Sequence, residues 1–60
     1  MAEPHPLPAL ATPKEVAAYL RKSPKTLANW RSQGIGPKPR KVGHSVLYRR
    51  RDVDAWLDRT

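Results

Sequence analysis

Apolar residues recur along the chain at two different spacings. Val16, Ala17 and Leu20 fall at i, i+1 and i+4. Leu27 and Trp30 are three apart, and Val53, Trp56 and Leu57 fall at i, i+3 and i+4. Each set lines one side of a 3.6-residue period, so each predicts a helix with one buried face. Between the second and third sets the period drops to two. Val46 and Tyr48 then share one strand face, and Leu47 and Arg49 the other. With Arg40 to Val42 as the partner run and Gly43-His44-Ser45 between them, this predicts a β-hairpin. Val42, Val46 and Tyr48 are expected inward, and Leu47 finds no place in the core.

The residues in front of the helical stripes fix where the helices begin. Thr12 is a good N-cap, Pro13 suits the first helical position, and Glu15 can reach back to complete a capping box. The first helix is expected from Pro13 to about Arg21. Ser23 and Pro24 repeat the cap, with Thr26 where the acidic residue would stand. Gly34 is placed to end the second helix in a left-handed conformation, so it is expected from Pro24 to Gln33. Pro24 disfavours helix at Ser23, and the first helix must stop there or earlier. Two helices of about ten residues with a two- or three-residue turn form a helix-turn-helix unit. The same geometry also describes an αα-hairpin with no role in DNA binding. A third helix is expected from about Arg51 to Arg59, with Asp52 and Asp54 in its first turn, where they favour the positive helix end. Pro4, Pro6 and Pro8 make residues 1–9 a flexible tail, with Leu10 as the first residue to touch the core. The expected fold is mainly α with a small β-hairpin: a winged helix-turn-helix of three short helices and a two-stranded wing over residues 10–60.

Charge narrows the partners. Twelve Lys and Arg oppose five Asp and Glu, for a formal +7 on sixty residues. Such an excess suits phosphate backbones. An acidic membrane surface would instead call for an amphipathic helix with large apolar residues on one face and basic ones on the other, and no helix has that pattern. No run approaches a membrane span, and "MAEPHPLPALA" lacks the features of a signal peptide. The absence of cysteine excludes disulfides and suits the cytoplasm of a bacterial host. His5 and His44 alone cannot make a structural zinc site. Thr12 and Ser23 are explained as caps, and the five acids suggest no catalytic pair. No enzyme, metal or cofactor is expected.

Two surfaces could carry nucleic-acid chemistry. With Leu27 and Trp30 buried, the second helix presents Lys25, Thr26, Asn29, Ser32 and Gln33, with Arg31 toward a flank. Short polar and basic residues can reach base edges, and Asn can pair with adenine. The same residues also suit an ordinary solvated face. The hairpin gathers Arg40, Lys41, His44, Arg49, Arg50 and Arg51. A basic ribbon can lie along phosphates, although edge strands also carry Lys and Arg to prevent aggregation. His44 either touches DNA or tolerates a turn conformation. Trp30 and Trp56 read as core rather than as stacking platforms, and Tyr19 has no assignment.

The string "TPKEVAAYLRKSPKTLANWRSQGIGPKPRKVG…VLYRRRDVDAWL" resembles the excisionase family of winged-helix proteins, related to the DNA-binding domain of MerR regulators. Four motifs carry the resemblance: Thr-Pro-x-Glu-Val-Ala, Ser-x-x-Thr-Leu-x-x-Trp, Lys-Val-Gly and Asp-Val-x-x-Trp-Leu. It implies a second helix in the major groove and a wing over the adjacent minor groove. The DNA-binding set is then Ser23, Lys25, Thr26, Asn29, Arg31, Ser32, Arg40, Lys41, His44 and Arg49. His44-Ser45 stands where relatives often have Arg, which weakens minor-groove insertion. Leu47 stands where relatives are often polar, which marks it as a contact surface. The resemblance further implies double-stranded DNA as partner, neighbouring copies on repeated sites, DNA bending and a tyrosine integrase directed towards excision. A MerR-type regulator would carry a ligand domain and a dimerisation coiled coil after the third helix. The alternatives are a small phage or plasmid transcription regulator and an interaction module that does not bind DNA. Free in solution the protein is expected to be a monomer, with Leu7 and Leu47 as contacts between DNA-bound copies.

Overall fold

The computed structural model describes residues 6–60. Strand β1 (Leu10–Ala11) leads into helices α1 (Pro13–Leu20) and α2 (Pro24–Gln33). Strands β2 (Pro39–Val42) and β3 (Ser45–Arg49) form the hairpin, and helix α3 (Arg50–Arg59) follows without a break. The elements make a winged helix-turn-helix, mainly helical, as the apolar pattern predicts.

The helix ends follow local chemistry. Thr12 Oγ1 accepts the amide of Glu15, and Glu15 Oε1 accepts the amide of Thr12, each near 3 Å, completing the capping box. Ser23 Oγ accepts the amide of Thr26 at 3.1 Å, and the two hydroxyls lie 2.9 Å apart. Both helices close with a Schellman motif. In α2 the amide of Ile35 donates to the carbonyl of Trp30, and that of Gly34 to Arg31, with Gly34 at φ 74°. In α1 the amides of Lys22 and Arg21 donate to Ala17 and Ala18, and the left-handed residue is Arg21 at φ 59°. Helix α1 therefore ends at Leu20, one residue before the expected Arg21.

The sheet departs from expectation in two ways. It has three strands, not two, in the order β1-β3-β2, because Leu10 pairs with Arg49 and Ala11 with Tyr48. The hairpin turn has two residues, not three: Val42 pairs with Ser45 across Gly43-His44. Gly43 alone has positive φ, the requirement of a II′ turn. His44 takes no left-handed conformation, so the turn does not account for it. A one-residue change in turn length flips a strand's faces. Val42 accordingly lies with Ser45 on the outer face and is 52% exposed, not inward. Tyr48, Val46, Pro39 and Ala11 share the inner face.

The core is Leu7, Ala11, Val16, Ala17, Leu27, Tyr48 and Val53, with Tyr19, Leu20, Trp30 and Val46 packed against it. Leu7 is buried, so it cannot serve as a contact between copies. Leu10 is half-exposed and is not the first core residue. Leu57, placed on the third apolar stripe, is exposed as well. Residues 1–5, including His5, lie outside the described residues. Long-range polar links brace the helices. Tyr19 donates to Asp54 Oδ1 at 2.9 Å, tying α1 to α3. Trp30 and Trp56 meet at 5.5 Å between ring centres, tying α2 to α3.

Candidate nucleic-acid interface

Helix α2 is held from three sides. Its Ser23 cap sets its start, Leu27 anchors it in the core, and Trp30 rests on Trp56. What remains free is its opposite face. Lys25, Asn29, Ser32 and Gln33 are all exposed there. At 100° per residue they fall within about a quarter of the helix circumference. This is a continuous row of short polar and basic side chains on a rigid element, the kind of surface that can meet base edges.

The other expected residues divide by their partners. Ser23 and Thr26 spend their hydroxyls on the cap and on each other. Arg31 sits on the buried side of α2, half-buried, and its Nη1 approaches the Tyr48 hydroxyl at 3.5 Å. It stands apart from the exposed row. Arg40 Nε faces Asp52 Oδ2 at 3.6 Å, with both atoms sheltered from solvent. Much of its charge is therefore answered inside the molecule. Lys41 and His44 are exposed on the wing, and Arg49 is exposed at the far end of β3. By register Lys41 shares the inner face with Val46, whereas Arg49 shares the outer face with Leu10. The structure thus unites Lys25, Asn29 and Ser32, sets Lys41 and His44 around the wing tip, and leaves Arg49 separate.

A second basic feature surrounds Arg49. Ala9, Arg49, Arg50 and Arg51 line a cleft of about 140 Å³. Arg50 builds it: its amide donates to the carbonyl of Ala9 at 2.9 Å, and its Nη1 donates to that of Leu7 at 3.3 Å. The arginine run signalled this feature in the sequence; the wall supplied by Ala9 had no signal, because it depends on β1 pairing with β3.

Among the described residues no His, Cys, Asp and Glu group could hold a metal ion, and no helix is long and apolar enough to cross a membrane. The Tyr19 phenol is perturbed by its neighbours. Its hydrogen bond to Asp54 raises its pKa above the usual 10.0, with smaller contributions from burial and from carboxylate charge. That group braces the fold and lies outside the exposed row.

No curated protein matches the chain. A family model, described as a helix-turn-helix domain, matches residues 12–60, from the first cap to the end of α3. Such a domain supports sequence-specific binding to double-stranded DNA, with the second helix as the reading element. By the extent of that match, the chain belongs to the helix-turn-helix domain family.

Proposed function

We propose that the chain is a DNA-bound accessory factor of the excisionase kind. It reads bases with α2, grips phosphates with the wing, occupies repeated sites side by side, and directs a tyrosine integrase towards excision. The observation that carries the DNA-reading part is the exposed row Lys25, Asn29, Ser32 on a helix whose other sides are all engaged. Thr26 and Ser23 border that row at the helix start, where backbone amides favour a phosphate. Lys41, His44 and Arg49 supply contacts independent of sequence, and Arg31 and Arg40 act from their internal partners. The recombination role rests on the four sequence motifs shared with excisionases. Leu47, joined by Leu10 and Val42 on the outer sheet face, is the surface through which neighbouring copies touch and bend the DNA between them.

Binding to specific and random duplexes tests the reading. Asn29→Ala should narrow the gap between the two by about 1–3 kcal/mol, because it removes a base contact. Lys41→Ala should weaken both alike and flatten the salt dependence. Equal loss on both duplexes for Asn29→Ala would mean that α2 does not read bases. A footprint on attachment-site DNA with and without integrase tests the recombination role. Independent filling of adjacent sites would point instead to a transcription regulator.

A further inference from the structure

We infer that the cleft between the N-terminal segment and the β3–α3 junction is a DNA-backbone phosphate site, separate from both α2 and the wing tip. The inference rests on the DNA-binding reading above and adds a third point of contact to it. Three arginines line one concavity of about 140 Å³, and its remaining wall is Ala9. Arg50 is committed to the Leu7 and Ala9 carbonyls, so it fixes the walls and adds charge. Arg49 and Arg51 are exposed, and among the described residues neither side chain has a hydrogen-bond or ion-pair partner. Arg49, Arg50 and Arg51 bring three like charges together at one cleft, and an anion there relieves their mutual repulsion. Guanidinium groups match a phosphate's oxygens in a planar, two-bond geometry.

Position argues for the DNA backbone. Arg49 ends the strand that begins at Ser45 beside the wing turn. Four residue steps at about 3.3 Å set the cleft roughly 13 Å from the wing tip. That is of the order of a groove width, so the two places cannot share one phosphate. Their contributions to the salt dependence should therefore add.

Two variants probe the cleft without touching Arg50. Arg51→Gln removes one charge at an exposed position. Ala9→Glu keeps every arginine and places a carboxylate on the cleft wall, where it competes with phosphate. Ala9 meets Arg50 through its backbone carbonyl and is exposed, so its side chain can change. Affinity for a random duplex is measured across salt, alongside thermal melts. Each variant should melt like the parent and make the negative slope of log K against log salt shallower by about 0.9, one phosphate contact. At 0.1 M salt relative to 1 M, such a contact is worth 10 to the power 0.9, about eightfold in affinity. Arg51→Gln combined with Lys41→Ala should make it shallower by roughly 1.8. A parent that binds duplex while both variants keep its slope overturns this inference alone. A parent that ignores duplex at low salt overturns the DNA-binding reading and this site with it.

Discussion

Gly36 is the position where the loop after α2 presses hardest on that helix. Its φ is +81°, and a Cβ built there would lie 2.9 Å from Trp30 Cε3 and 3.3 Å from Trp30 Cβ. Trp30 has little freedom to retreat, because Trp56 lies against it at 5.5 Å and the core lies beneath. Gly36→Ala therefore meets two costs. Left-handed backbone costs an alanine about 1–2 kcal/mol, and the forced contact about 1–3 kcal/mol more. Restriction of the unfolded chain returns about 0.4–1 kcal/mol. The net expected loss is about 1–5 kcal/mol, of which the contact cost of about 1–3 kcal/mol is what a left-handed glycine without a neighbour escapes. Gly34→Ala is the control: its φ is +74°, but nothing lies within 4 Å of its Cβ. It should lose only about 1 kcal/mol. At about 4–8 °C per kcal/mol in a domain of this size, thermal melts separate the two variants clearly. The Trp emission should also shift in Gly36→Ala and stay fixed in Gly34→Ala. Equal melting temperatures for the two variants would refute the claim that Gly36 is required by Trp30.

Ser23→Ala should cost about 1 kcal/mol in chemical denaturation, because the α2 amide of Thr26 loses its acceptor. Leu7→Ala should cost about 2–5 kcal/mol and Leu10→Ala close to nothing, since Leu7 is 1% exposed and Leu10 49%; similar melts for the two would contradict the docked N-terminal segment. Tyr19 contributes in a pH-dependent way. Its folded pKa is raised, so the fold prefers the protonated phenol. That contribution is intact below the unfolded value of 10.0 and is lost as pH climbs through the higher folded value. Urea midpoints measured upward from pH ~9 should fall more steeply for the parent than for Tyr19→Phe, and parallel curves would exclude this linkage.

The helices were legible because their signals are local. Thr12 with Glu15, Ser23 with Pro24, and Gly34 each act within one turn of where they stand. The exposed face of α2 was legible for the same reason: once Leu27 is buried, the helical period alone puts Lys25, Asn29 and Ser32 outside. What escaped the sequence depends on partners far along the chain. Arg31 and Arg40 look like free charges until Tyr48 and Asp52 are placed beside them. The two-residue β1 is too short to carry a period, and it exists only because β3 offers an edge. Val42 was misplaced by a single residue of turn length, the error to which a period of two is most sensitive.

Leu7 shows how one composition can support two opposite structures. Pro6 and Pro8 on either side of it argue for extended chain, and extended chain alone reads as a free tail. Extended chain also makes a good strap. Pro8 has no amide to satisfy, so the described part of the segment needs few partners beyond its carbonyls. Arg50 meets two of these, at Leu7 and Ala9. Beyond Ala11 in β1, only one side chain then has to be inserted, and Leu7 supplies it. In a domain of sixty residues a core rarely yields more than about 3–5 kcal/mol net, so a leucine whose removal costs about 2–5 kcal/mol is no accessory. The segment supplies Leu7 and Ala11 to a core of seven buried residues and also forms the Ala9 wall of the arginine cleft. Fold and cleft therefore depend on the same few residues and on Arg50. They separate at Arg51, which lines the cleft, is exposed, and contributes nothing to the core. Stability changes at Leu7 and salt-dependent affinity changes at Arg51 are accordingly independent consequences of one docked strap.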